Sequence, residues 1–295
     1  MNRRTFLTAA AAAAVLPAAT ALPATVIDTH AHFYDPSRPQ GVPWPPKSET
    51  LLYRTVLPDE FVRLTKPLGV TGVIKVEASA WLEDNQWVLD LAAKNPVIVA
   101  SVGRLEPGAP GFRMNLARFH KNRLFRGIRL GKIQEGGDFI ADLKEMAEAD
   151  LELDAIGPPK LLAELVRLTD RIPSLRVVIN HLPFDPPQEA RARKEYQEAL
   201  SELGKRPQVY AKVSNVVRRV QGRVPDDQEF YKPGLDELWE FFGQNRLIYG
   251  SNWPVSEKIA PYKTVLQVVR QYFAVKGQDA SEKFFWKNSK AAYRW

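Results

Sequence analysis

The stretch Val26-Ile27-Asp28-Thr29-His30-Ala31-His32-Phe33-Tyr34-Asp35-Pro36 decides how this chain folds. Residues 26–32 have the alternating, β-branched character of a strand. The turn that follows contains no glycine, whereas an open dinucleotide-binding sheet places a Gly-rich phosphate loop there. Runs of the same kind recur at 71–78, 97–103, 125–130, 151–156, 176–181, 208–214 and 246–253. Between them lie segments with apolar residues three and four apart, such as Leu161, Leu162, Leu165, Val166 and Leu168 behind Pro158-Pro159. Pro96, Pro173 and Pro207 stand just before strands, where proline stops a preceding helix. Strand and helix alternation without a break in composition predicts an α/β fold, a closed (β/α)8 TIM barrel forming a single domain over 25–295.

The whole chain has 295 residues, 45% hydrophobic and 25% charged, as in a folded protein rather than a disordered one. It has no cysteine, which excludes a disulfide scaffold, a thiolate-held zinc and a cysteine nucleophile. The formal charge of +7 is spread without a compact basic run carrying interleaved aromatics. That pattern argues against nucleic acid and fits a small acidic or sugar-like ligand. Residues 1–24 combine Arg3-Arg4, an alanine-dominated apolar run and small residues at Ala19-Thr20-Ala21 and Leu22-Pro23-Ala24. They read as an export signal of the twin-arginine type, placing the protein in the periplasm or outside the cell. The run is short for a membrane span and has no cysteine to carry a lipid, so no stable membrane anchor is expected.

Barrel enzymes carry their chemistry at the carboxyl ends of the strands. His30 and His32 end the first run, two residues apart and so on one side of a strand. Two convergent imidazoles can hold one divalent cation, zinc being the usual one, with Glu77 or His181 as a further ligand. They can equally be hydrogen-bonded structural groups. His181 ends the sixth run, and His120 falls in a helical stretch on the solvent side.

Val26 to Pro36, His181-Leu182-Pro183 and Tyr249-Gly250-Ser251-Asn252-Trp253-Pro254-Val255 together resemble the amidohydrolase-related (amidohydrolase-2) family, in its sugar-acid lactonase and 2-pyrone-4,6-dicarboxylate lactonase branch. The closing stretch from Phe285 to Tyr293 is similar to the family's terminal helix. The resemblance runs from Val26 to Trp295. It implies a hydrolase on a (β/α)8 barrel, with or without metal. One departure matters: the family usually has Asp where this chain has Asn252. An amide is neither a base nor a strong metal ligand. The fifth run also offers Asp154 in place of the histidine of many metal-binding relatives. A binuclear centre is therefore not expected, and a mononuclear or a metal-free site remain the alternatives.

His181 ranks first as the base that replaces the missing carboxylate, then Asp154, then Glu77. Arg129, Arg104 and Lys212 at strand ends suit a carboxylate or an oxyanion. Trp44, Trp81 and Trp253 follow strand ends, where they either stack on a sugar ring or form an apolar lid. The expected reaction is the opening of a sugar-acid lactone by water. The alternatives are a barrel that binds a carbohydrate-like acid without turnover, and a decarboxylase or hydratase of the same superfamily.

Overall fold

The computed structural model describes residues 23–183 and 186–295. The export signal expected over 1–24 lies outside the described residues except for Pro23 and Ala24. The strands are β1 (Ile27–Ala31), β2 (Gly72–Val76), β3 (Ile98–Gly103), β4 (Phe125–Leu130), β5 (Glu152–Ala155), β6 (Arg176–Leu182), β7 (Val209–Val213) and β8 (Leu247–Tyr249). The helices are α1 (Pro58–Thr65), α2 (Asp84–Lys94), α3 (Phe112–His120), α4 (Gly137–Glu148), α5 (Leu161–Arg171), α6 (Ala190–Gly204), α7 (Gln228–Phe242), α8 (Tyr262–Val275), α9 (Gln278–Glu282) and α10 (Asn288–Tyr293). One helix follows each strand, with α9 and α10 appended.

Each strand pairs in parallel with the next, in the order β1 to β8. The ring closes between the ends of β8 and β1. Asn252 N donates to His30 O at 2.8 Å, and His32 N donates to Trp253 O at 2.9 Å. Buried Asp28 reinforces the seam by accepting from Ser251 N and Oγ, His30 N and Tyr262 Oη. This is the closed (β/α)8 barrel expected from the alternation of runs. Strand β8 is shorter than the expected 246–253 run, and the residues beyond it, Asn252 and Trp253, pair with β1 at the seam.

The helices pack by their apolar stripes. Leu161, Leu162, Leu165 and Leu168 of α5 are all buried against the outside of the sheet, as their spacing requires. Inside the ring the filling is mixed. Ile74, Val76, Ala100, Val102, Val178 and Ile248 form an apolar cluster with Tyr293. Tyr293 of α10 also donates to Asp154 Oδ1 at 2.8 Å, and Asn288 Nδ2 donates to the carbonyls of Gln244 and Leu247. The last helix therefore ties itself into the barrel interior.

Candidate active site

At the carboxyl ends of the strands the three expected histidines meet. The His30 and His32 rings lie 5.0 Å apart between centroids, and His30 and His181 lie 4.5 Å apart. His30 is wholly buried, and neither of its ring nitrogens has a protein partner among the described residues. Gly250 makes room for it: a Cβ there would stand 2.9 Å from the Cβ of His30. His32 Nδ1 lies 3.1 Å from Val76 O, and Nε2 lies 3.3 Å from Asn252 Oδ1. His181 Nδ1 lies 2.9 Å from Ser214 Oγ. His181 and Asn252 have φ of 63° and 61°. A left-handed conformation at two non-glycine residues that meet at one site is strain of the kind found where function dictates geometry.

The surroundings are cationic. Arg129 on β4 donates from Nε to Glu77 Oε1 at 2.9 Å and from Nη2 to Glu77 O at 2.8 Å. Arg104 reaches Arg129 O at 3.4 Å and pairs with exposed Glu106. Burial, followed by the charges of Arg129 and Lys212, pushes the His181 imidazole down to about 3. His30 is pushed well below the ordinary histidine range by burial, then by His181 and Lys212; for His32 the causes are burial and then Arg129. All three rings are therefore neutral at pH 7.

Several expected site residues take other places. Asp154 and Lys212 are wholly buried and paired with each other at 2.7 Å. With Tyr293 on its other oxygen, Asp154 is sealed inside the barrel and cannot meet a water at the rim. Lys212 acts there only through its charge. Glu77, expected as a metal ligand or base, is held by Arg129 instead. Trp253 is buried in the core beside Phe33 and Phe61, with its indole N–H on Glu257, so it offers no face to a ligand. Trp44 does reach the rim, 5.6 Å from His32 between ring centroids. It lines a cavity of about 260 Å³ with His32, Glu77, Ser79 and Arg129. Trp81 is exposed in the loop after β2. A second cavity of about 560 Å³ opens from His181 between Val216, Phe230 and Tyr231. His120 is exposed at the end of α3, as expected.

Sequence reading missed Ser214, Glu152 and Tyr293. Ser214 could have been found, since it ends the 208–214 run. Glu152 is wholly buried, and burial with Asp154 alongside pushes its carboxyl well up, so it is neutral. Only its place on the inward face of a strand marks it, and alternation alone does not reveal that face.

The donor set does not fit a resident divalent cation. Among the described residues no three His, Asp or Glu side chains converge to hold a metal. Asp154 is committed to Lys212, Glu77 to Arg129, and position 252 carries an amide.

Residues 27–295 match the family described as Amidohydro_2, amidohydrolase. The L-fucono-1,5-lactonase of Burkholderia ambifaria is 31% identical over 238 residues, covering 78% of this chain and 80% of that one. The L-fucono-1,5-lactonase of Burkholderia multivorans is 26% identical over 282 residues, covering 90% and 94%. The crystal structure of an amidohydrolase from Burkholderia multivorans with bound zinc superimposes with a TM-score of 0.79 at 23% identity, covering 92% and 99%. At that identity the match speaks for the fold, while the span of the family match decides membership: the chain belongs to the Amidohydro_2 amidohydrolase family.

Proposed function

We propose that this chain is an exported hydrolase that opens the ester bond of a sugar-acid 1,5-lactone. The L-fucono-1,5-lactonase relatives supply the substrate class. The observation that carries the chemistry is the meeting of three neutral imidazoles, buried His30 and His32 and half-buried His181, beside Arg129 at the rim. A neutral imidazole can accept a proton from water or donate one to an oxyanion, depending on its tautomer. Attack of water on the lactone carbonyl builds negative charge on oxygen. Arg129, which stands at this rim and lowers the basicity of His32 and His181, stabilises that charge. The unpartnered nitrogens of His30 favour the same outcome. A buried polar atom without a partner costs about 1–3 kcal/mol, a cost of the kind carried at functional sites. Trp44 and the adjoining cavity suit a sugar ring. No step requires a metal. The twin-arginine pattern of residues 1–24 supports export.

A barrel that binds a carbohydrate-like acid without turnover is the second reading, favoured by Asn252 in place of the family's carboxylate. A pH-indicator assay over 1,5- and 1,4-lactones of sugar acids separates the two. Hydrolase action gives saturable proton release that His30→Ala abolishes. Saturable binding of the lactones or their acids without proton release would establish the binder.

A further inference from the structure

The hydrogen bonds that fix His32 and His181 differ in kind, and this determines where each ring carries its proton. Val76 O is a carbonyl and can only accept, so His32 Nδ1 at 3.1 Å carries the hydrogen and Nε2 carries the lone pair. Nε2 faces Asn252 Oδ1 at 3.3 Å, so two acceptors stand side by side. Ser214 Oγ has the opposite effect on His181. It accepts the backbone N–H of His181 at 3.1 Å, and its own hydrogen needs an acceptor because the side chain is wholly buried. Among the described residues the acceptor within reach is His181 Nδ1, at 2.9 Å. A hydroxyl donating to Nδ1 leaves the imidazole hydrogen on Nε2. The two rings flank His30.

We propose that the site is a pair of imidazoles locked in opposite tautomers, with His32 Nε2 as the general base and His181 Nε2–H as the donor to the lactone carbonyl oxygen. The proposal rests on the lactonase reading and reverses the role expected of His181 from the sequence. Val76 O and Ser214 are positioning groups, each acting through the ring it fixes. Asn252 takes part without being a base. A water that donates one O–H to His32 Nε2 and the other to Asn252 Oδ1 has its lone pairs free to attack. The water oxygen bonds to the carbonyl carbon, the carbonyl π pair moves to the oxygen facing His181, and one water proton passes to His32 Nε2. The intermediate then re-forms its C=O and breaks the ring C–O bond. His32 returns its proton to the departing ring oxygen, giving the hydroxy acid with no other reactant. The amide thus orients what the family's carboxylate would deprotonate, and the neighbouring imidazole supplies the basicity.

The test is a two-bond 1H–15N correlation spectrum of the full chain labelled at histidine, near pH 7, with each ring assigned by single His→Gln variants. The expected result is an Nε2–H tautomer for His181 and an Nδ1–H tautomer for His32. The reverse assignment for either ring overturns the proposal. Ser214→Ala is expected to abolish the single tautomer of His181 and lower kcat roughly 100-fold, the loss typical of one oxyanion donor; Ser214→Thr, which keeps the hydroxyl, restores both. If Ser214→Ala does not fold, the wild-type spectrum still decides. The spectrum needs no substrate. Correct tautomers with no lactone opened would sink the lactonase reading alone, and lactones opened by rings in the wrong tautomers would sink this assignment alone.

Discussion

Lys212→Met tests whether the barrel interior is held by an ion pair that also sets the electrostatics of the site. Lys212 Nζ and Asp154 Oδ2 are 2.7 Å apart and both side chains are wholly inaccessible. Removing one partner leaves Asp154 with the Tyr293 hydroxyl as its remaining donor, beside neutral Glu152. Orphaning one member of such a pair costs about 3–5 kcal/mol. For a domain of this size that corresponds to a fall in Tm of roughly 6–20 °C. Methionine fills most of the space left by lysine, so the loss reports the charge rather than a cavity. The deficit should shrink as pH falls, because a stranded carboxylate is relieved by protonation. Lys212→Met/Asp154→Asn should recover much of the loss, because no unpaired charge remains. Urea unfolding followed by circular dichroism gives these free energies. A Lys212→Met protein within 1 kcal/mol of wild type at pH 7 would refute the reasoning. So would a double variant no more stable than the single one.

Other perturbations probe other parts of the account. Asn252→Asp places a carboxylate beside His32 and should tighten zinc binding at least tenfold, as read by calorimetry; unchanged affinity would mean that the amide is not what keeps the cation out. The buried histidines have depressed basicity in the native state, so the unfolded chain binds protons that the folded one refuses. Stability is then fully present above about 6.5, the unfolded value, and falls as pH drops toward the folded values. For His181, held down at about 3, the slope is about 1.4 kcal/mol per pH unit across that window, and His181→Gln should reduce the measured slope by that amount. Leu165→Ala in α5 should cost about 2–5 kcal/mol in urea unfolding without changing the KM for a lactone; a cost under 0.5 kcal/mol would mean that the stripe does not face the sheet.

The barrel was legible because its signals are local and repeated. Period-two runs, helical stripes such as Leu161 to Leu168, and helix-ending prolines each report one element, and eight repeats of one rhythm leave few topologies. The histidines were legible for the same reason, since each ends a strand and strand ends share a rim. What a strand end does there was harder to read. Lys212 of β7 and Asp154 of β5, with β6 between them, pair inside the barrel below the rim, across a sequence separation that no periodicity encodes. Trp253 follows a strand end, but the seam between β8 and β1 folds it inward against Phe33 and Phe61. Ser214 went unnoticed because a serine has no charge, and its place at the end of the 208–214 run was its one mark in the sequence.

The measurement that bears most directly on the account is the initial rate of proton release from a panel of sugar-acid 1,5-lactones with the chelator-dialysed protein. The account predicts saturable hydrolysis above the buffer rate, unchanged by dialysis and lost in His32→Gln. A folded protein with no rate above buffer, or a rate that disappears on dialysis and returns with zinc, would contradict it.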